Sequence, residues 1–174
     1  MDNILLKRIA SIQNQLDREA AKMKLVELEN IHFTWRFFGD TSVSEIEGIR
    51  EELMKLSFST IEIQIAGVGA FPNVRRPRVI WVGVTENAAR LTELKLETDE
   101  LLRNLGYKTD KRFTPHATIA RVRFIHDNKR LADNIEALAS ENVGKMKVDN
   151  IRMTRSILTP SGPVYETLWE IPAE

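Results

Sequence analysis

Two stretches of the sequence, ENIHFTWRFFGD at positions 29–40 and FTPHATIARVRF at positions 113–124, share one short pattern. Each contains a histidine followed two positions later by a threonine: His32 with Thr34, and His116 with Thr118. Apolar and polar residues alternate through the first stretch, which is typical of a strand with one apolar face, and the second is predicted to form a strand after Pro115. Residues i and i+2 of a strand share a face, so each imidazole is predicted to lie beside a hydroxyl.

The elements expected around these strands repeat in order, because each half of the chain shows a helix, a His-x-Thr strand, a second helix and two strands. The hydrophobic spacing predicts helices over roughly residues 3–22, 43–55, 87–105 and 128–139. Further strands are predicted over roughly residues 59–68, 78–84, 146–158 and 163–171, the last two joined by the turn TPSGP. Asp2 or Asn3 is expected to cap the first helix, and Ser42 with Glu45 forms a capping box for the second.

The repeat predicts an α+β protein made of two similar lobes that face each other across a central cleft. The two motifs lie 84 residues apart, from position 32 to position 116, which is half the chain and far longer than a solenoid period. One motif is therefore expected in each lobe. We interpret residues 1–174 as a single domain built from these two pseudo-symmetric lobes.

Composition excludes several classes of protein. A hydrophobic content of 43% with 29% charged residues is typical of a folded globular chain. Twenty-five basic residues balance 25 acidic ones, so any contact with RNA must be local, in a cleft or patch. There is no cysteine, which excludes disulfides, thiol catalysis and Cys-ligated zinc and fits a cytoplasmic protein. No apolar run is long enough for a bilayer, and no membrane partner is expected.

Two histidine–threonine pairs suit the opening of a cyclic phosphodiester. This reaction needs a base that takes a proton from water and an acid that protonates the leaving sugar oxygen. Histidine titrates near neutral pH, so one imidazole can start neutral and the other protonated. The phosphoryl oxygens need hydrogen-bond donors, which Thr34 and Thr118 can supply from two sides. The expected site uses no metal and no cofactor.

Other residues are assigned less directly from the sequence. Strict alternation turns Arg121 away from His116, as a surface arginine, although a twist or a bulge near the end of the strand would let it reach the cleft. Arg36 shares a face with His32 and is expected at a cleft rim or in a salt bridge. The remaining expectations are a solvated loop position for His126, core positions for Trp35, Trp81 and Trp169, and a bulge or bend at Gly67 and Gly69.

The two His-x-Thr motifs, with Arg121 after the second, resemble those of the 2H phosphoesterases. The resemblance is strongest to archaeal and bacterial RNA 2′,3′-cyclic phosphodiesterases, also called 2′-5′ RNA ligase-like proteins. It runs from about residue 24 to the end and includes two further segments, GVGAFPNVRRPRVIWVGV at 67–84 and LTPSGPVYETL at 158–168. Members of this family usually open with a short apolar strand, whereas this sequence begins almost inside its first helix. The missing strand is expected to expose a sheet edge.

The resemblance implies a bilobal α+β fold with two antiparallel sheets, flanked by helices around a concave site. It implies hydrolysis of 2′,3′-cyclic phosphate ends of RNA or nucleotides to 2′-phosphates, with reversible 2′-5′ ligation of tRNA halves in some members. Carried over, His32 and His116 are the catalytic pair, with His32 as the acid and His116 as the base. Thr34 and Thr118 bind the phosphate, and Arg121 contacts the nucleotide. The protein is expected to act as a monomer.

Three other interpretations stay open at this point. The first is a non-catalytic module that binds RNA or nucleotides on the same fold, although both histidines and both threonines are present. The second is a histidine-ligated metalloenzyme, but zinc hydrolases use about three protein ligands, and His32 with His116 supply two. The third is a purely structural protein, in which neither histidine affects anything except stability.

Overall fold

The computed structural model describes residues 1–109, 113–159 and 162–174, which contain four α-helices and seven β-strands. A 3₁₀ turn, Leu28–Asn30, follows the first strand. The elements, in chain order, are α1 Asn3–Gln15, β1 Ala21–Leu25, α2 Val43–Leu53, β2 Ile61–Phe71, β3 Val79–Glu86, α3 Ala88–Arg103, β4 His116–Ile125, α4 Asn128–Ala137, β5 Asn142–Val148, β6 Asn150–Thr159 and β7 Gly162–Pro172.

The strands form two sheets. Five strands make one sheet in the order β1-β4-β3-β2-β5, in which β4 pairs antiparallel with both β1 and β3, and β2 pairs antiparallel with β3. The other sheet is the antiparallel hairpin of β6 and β7. Helix α1 is tied to the larger sheet by Gln13, whose buried amide donates to the carbonyls of Val26 and Ile119 at 2.8 and 2.9 Å. The predicted α+β class with antiparallel sheets is confirmed.

The chain folds into two compact units that interleave along the sequence. The first contains Met1–Thr34, Ile63–Glu86 and Pro115–Met146. The second contains Trp35–Glu62, Asn87–Thr114 and Lys147–Glu174. Both His-x-Thr motifs therefore belong to the first unit, and the expectation of one motif in each lobe is wrong. The two compact units do not coincide with the two halves of the sequence, because strands that are distant in the sequence pair within one sheet.

The predicted helix starts are confirmed. The Asp2 carboxylate accepts hydrogen bonds from the backbone N–H groups of Ile4 and Leu5, both at 2.9 Å. Ser42 and Glu45 form the reciprocal capping box at the start of α2. The hydrogen bonds from the Ser42 hydroxyl and backbone N–H hold the pKa of the Glu45 carboxyl below its usual value.

The first helix ends earlier than its apolar spacing predicts, at Gln15 rather than near residue 22. The Asp17 carboxylate accepts hydrogen bonds from the N–H groups of Glu19 and Ala20, at 3.0 and 3.1 Å, in a turn that continues into β1. An aspartate that binds nearby backbone N–H groups competes with the helix for them. Strand β1 was therefore not predicted, and it supplies one edge of the larger sheet.

Two other expectations about strands need correction. The stretch after Asn30 is not a regular strand, because among the described residues Phe33 alone pairs there, in an isolated bridge with Ala117. The single strand predicted near residues 146–158 is two strands, β5 and β6. The turn TPSGP at 159–163 lies partly outside the described residues. Within the described part of the chain, no helix has the length and apolar content needed to cross a membrane.

Candidate active site

The bridge between Phe33 and Ala117 brings the two His-x-Thr motifs side by side in antiparallel directions. Antiparallel register then sets His32 opposite Thr118, and Thr34 opposite His116. The four side chains share the face that lies away from buried Ala117. The two histidines are diagonal neighbours in this array, which corresponds to roughly 7–8 Å between their Cα atoms. Each histidine thus lies opposite the threonine of the other motif.

The imidazole of His32 is held by the 3₁₀ turn that precedes it. Its Nδ1 lies 2.7 Å from the backbone carbonyl oxygen of Asn30, the last residue of that turn. A carbonyl oxygen can only accept, so Nδ1 carries the hydrogen and donates it. The other ring nitrogen, Nε2, is the one that does not face this carbonyl. His32 itself is exposed and lies outside the regular strands.

The ring of His116 packs against two aromatic side chains. Phe71 meets it edge-to-face with ring centroids 4.9 Å apart, and the centroid of the Trp81 ring lies 6.0 Å away. Phe71 and Trp81 are themselves in contact at 5.2 Å. Sequence reasoning assigned Trp81 to the core and did not single out Phe71. Trp81 is instead half-buried on the face that carries His116, as is Phe71.

Two glycines make room for the indole of Trp81. A Cβ atom on Gly69, its partner on β2, would lie 2.3 Å from the ring atoms Cη2 and Cζ2. A Cβ atom on Gly83 would lie 2.9 Å from Cζ3 of the same ring. The sequence carries a signal for this packing, because Gly69 lies two positions before Phe71 and Gly83 lies two positions after Trp81.

The bulge or bend predicted at Gly67 and Gly69 lies at Gly67. This residue has a φ of +80° at a register shift between β2 and β3. Gly69 has a different role, since it allows the Trp81 ring to approach the backbone closely.

Gly69→Ala is expected to lower the free energy of unfolding by about 1–3 kcal/mol, because the added methyl overlaps the Trp81 ring. Displacement of the indole also loosens the packing of His116. Urea unfolding, followed by tryptophan fluorescence, measures both the stability and the indole environment. Gly48→Ala in α2 is the matched control, since no atom lies within 4 Å of its added Cβ and alanine favours helix. Equal stability of the two variants would contradict the packing described.

A bulge in β4 decides the position of Arg121. Ile80 pairs with Ala120, but the next residue, Trp81, pairs with Thr118, so Ile119 is an extra residue in β4. Ile119 and Ala120 are consecutive and both fully buried, as expected where alternation is interrupted. Register therefore places Arg121 opposite Val79 and on the face of Thr118. Of the two alternatives left open by the sequence, the bulge is the one observed.

Arg36 and His126 lie outside this array. Arg36 lies in the second unit, where its guanidinium pairs with the Asp99 carboxylate at 2.9 Å and donates to the carbonyl of Lys108 at 2.7 Å. The salt-bridge interpretation of Arg36 is confirmed. His126 is exposed in the turn before α4, as predicted, with its ring edge-to-face against Phe124. Trp35 and Trp169 are half-buried rather than fully buried.

The array can do chemistry with protons and hydrogen bonds. It offers two imidazoles, two hydroxyls and one guanidinium on one side of β4 and of the segment bridged to it, and all five belong to residues predicted from the sequence. Across residues 1–109, 113–159 and 162–174, no three His, Cys, Asp or Glu side chains group together as a metal site would require.

Comparison with known proteins agrees with this architecture. The family model described as LigT like Phosphoesterase matches residues 4–81 and again residues 82–165, and each range holds one His-x-Thr motif. A protein from Aeropyrum pernix named RNA 2′,3′-cyclic phosphodiesterase is 36% identical over 170 residues, which cover 97% of both chains. A protein of the same name from Methanocaldococcus jannaschii is 38% identical over 164 residues, covering 94% of this chain and 91% of its own.

Solved structures show the same fold. The protein TT0787 of Thermus thermophilus aligns with a TM-score of 0.80 at 21% identity, covering 99% of this chain and 93% of its own. Apo LigT of E. coli aligns with a TM-score of 0.76 at 16% identity, covering 99% and 92%. The resemblance to the 2H phosphoesterases is confirmed by the family model, which matches both halves of the sequence. This chain belongs to the LigT like phosphoesterase family.

Proposed function

We propose that this protein is a metal-independent phosphodiesterase that opens 2′,3′-cyclic phosphates at RNA ends and leaves 2′-phosphates. The observation that carries the proposal is the bridge between Phe33 and Ala117, which aligns both His-x-Thr motifs on one face. The relatives from Aeropyrum pernix and Methanocaldococcus jannaschii, both named RNA 2′,3′-cyclic phosphodiesterase, support the assignment of substrate and reaction.

The reaction divides between the two histidines. His116 acts as the base and takes a proton from the attacking water, whose oxygen forms a new bond to phosphorus. His32 acts as the acid and gives the proton on Nε2 to O3′ as the bond between phosphorus and O3′ breaks. The phosphate stays on O2′, and each histidine ends in the protonation state from which the other began. The hydrogen bond between His32 Nδ1 and Asn30 supports this orientation of the acid.

The hydroxyls and the guanidinium bind the substrate. Thr34 and Thr118 donate hydrogen bonds to the two non-bridging phosphoryl oxygens, where charge is carried through the transition state. Arg121, returned to this face by the bulge in β4, contacts the terminal nucleotide. A 5′-hydroxyl that takes the place of water would give a 2′–5′ linkage by the same displacement, which is the ligase activity on tRNA halves. We infer that the protein is cytoplasmic and acts as a monomer. Gel filtration tests the oligomeric state.

The test is hydrolysis of adenosine 2′,3′-cyclic phosphate and of a short oligoribonucleotide with the same end, in excess EDTA. The 2′-phosphate is expected as sole product, with the same rate before and after chelation, because no step uses a metal. Phosphorus NMR distinguishes the 2′-phosphate from the 3′-phosphate. A 3′-phosphate product would contradict the assignment of O3′ as leaving group. Activity that disappears with chelation and returns with added zinc would favour the metalloenzyme instead.

A further inference from the structure

Seven basic residues gather at one end of the five-stranded sheet. They come from three neighbouring segments, β1, β4 and the turn between β2 and β3, and all are exposed: Lys22, Lys24, Arg121, Arg123, Arg75, Arg76 and Arg78. The chain as a whole is neutral, with 25 basic and 25 acidic residues, so this cluster is a local feature. We call it the basic end of the sheet.

Register connects the basic end to the candidate active site. Lys24 pairs with Arg121, and Lys22 pairs with Phe124, across the ladder between β1 and β4. Directly paired residues share a face, so both lysines lie on the face of Arg121. That face also carries Thr118. From Thr118 to Phe124 the strand runs roughly 20 Å, at about 3.3 Å per residue. The cations thus continue outward from the site along one face of β1 and β4.

The cations of the basic end are largely uncompensated. In the described part of the chain, Lys24 has the only carboxylate within 4.0 Å, that of Glu27 at 3.8 Å, and the other six have no ion pair. The acidic residue that follows β4, Asp127, instead caps α4, where its carboxylate accepts a hydrogen bond from the backbone N–H of Arg130. Exposed like charges on neighbouring strands repel one another, and a polyanion laid across them relieves the repulsion.

An exposed aromatic side chain stands among these charges. Phe124 is 60% exposed, and its ring is supported edge-on by His126 with centroids 5.0 Å apart. Single exposed apolar residues are common and need no explanation by themselves. A supported aromatic ring on a basic strand is different, because sites for single-stranded nucleic acid combine cations along the backbone with rings on which bases stack.

We propose that β1 and β4 bind the RNA strand on the 5′ side of the cyclic phosphate. In this arrangement Lys24 and Lys22 contact successive backbone phosphates beyond the nucleotide at Arg121, and Phe124 stacks on a base. The arginines of the turn between β2 and β3 attract the RNA backbone from one side of this path. This inference rests on the proposed function and deepens it, because it names single-stranded RNA with several ordered nucleotides, rather than a free cyclic nucleotide, as the preferred substrate.

The experiment compares kcat/KM for a single-stranded oligoribonucleotide with a 2′,3′-cyclic phosphate end and for adenosine 2′,3′-cyclic phosphate. In the Lys22→Ala/Lys24→Ala double variant, the ratio of kcat/KM for the oligonucleotide to kcat/KM for the mononucleotide is expected to fall about tenfold. The slope of log kcat/KM for the oligonucleotide against log salt concentration should become shallower by roughly 1.4, at about 0.7 per lost phosphate contact. The mononucleotide, which has no further phosphates, lacks this salt dependence.

Two control variants separate specific contacts from net charge. Lys129→Ala/Arg103→Ala removes two exposed cations that already pair with carboxylates on their own helices, Asp133 and Glu100, so the ratio should not change. Phe124→Ala is expected to lower the ratio about tenfold with no change of salt slope, since stacking releases no counterions. Phe124→Trp should restore the ratio, because a larger ring also stacks.

The outcomes distinguish this inference from the proposed function. An unchanged ratio in both Lys22→Ala/Lys24→Ala and Phe124→Ala overturns the inference, and so does an equal loss for both substrates. If the wild-type protein hydrolyses neither substrate, the proposed function fails, and the inference is then tested by fluorescence anisotropy with an oligonucleotide ending in a 2′-phosphate. Weaker binding by the double lysine variant supports RNA binding at the basic end even then. Equal binding, or stronger binding of an acidic peptide than of RNA, overturns it.

Discussion

His116→Ala is expected to lower kcat for adenosine 2′,3′-cyclic phosphate by roughly 10²–10⁴-fold, because the attacking water loses its base. The wild-type rate should show a bell-shaped dependence on pH, which requires one neutral and one protonated group. In that profile the acidic limb reports the base and the alkaline limb reports the acid. His116→Ala should therefore lose the acidic limb and keep the alkaline one.

His32→Ala is the complementary change and should have a similar effect on rate. The leaving O3′ then departs without a proton, and the alkaline limb should disappear while the acidic limb stays. Comparison of the two profiles tests which histidine is acid and which is base. The opposite pairing of variants and limbs would reverse the two roles within the same site.

The third histidine provides a matched control for both changes. His126 is exposed in the turn before α4, and His126→Ala should leave the rate and both limbs for the mononucleotide unchanged. Melting temperatures of the three variants show whether each is folded. If His32→Ala and His116→Ala keep full activity per folded molecule, the two-histidine mechanism is wrong, and the histidines serve packing. A flat wild-type profile between pH 5 and 8 would count equally against it.

Asp99→Ala is expected to lower the free energy of unfolding by about 3–5 kcal/mol. Asp99 is 1% exposed, and its carboxylate binds two cations in the second unit, Lys95 Nζ at 2.5 Å and Arg36 at 2.9 Å. Lys95 is also 1% exposed, so loss of the carboxylate leaves a buried ammonium without its partner. The cost comes from the Lys95 ammonium, which stays charged and buried without its counter-ion, and not from the smaller size of the alanine side chain.

Urea unfolding measures this loss, and Asp133→Ala is the matched control. Asp133 pairs with Lys129 at 2.6 Å in the same i, i+4 arrangement, but the Lys129 side chain is 86% exposed. An exposed helix pair of this kind contributes about 0.3–0.5 kcal/mol. Lys95→Met should cost less than Asp99→Ala, because Asp99 keeps Arg36. Similar values for Asp99→Ala and Asp133→Ala would show that burial of the charges does not determine their contribution.

Features that depend on near neighbours in the chain could be predicted from the sequence. The Ser42–Glu45 capping box, the Asp2 cap and the pairing of each histidine with a threonine two positions later are all local. The spacing of apolar residues also located the cores of α2, α3 and α4. The early end of α1 shows the limit of such reasoning, since apolar periodicity continued past Gln15 while the Asp17 turn had already ended the helix.

The sequence by itself determined the chemistry available to this protein: two imidazole–hydroxyl pairs, no thiol, and a balance of charge that confines any RNA contact to a patch. Tertiary structure decided where these groups lie. The bulge at Ile119 brought Arg121 to the face of Thr118, and the Phe33–Ala117 bridge placed both motifs in one unit. The physical reason is that register depends on pairing between strands distant in the sequence, and one extra residue in a ladder reverses the side on which every later side chain emerges.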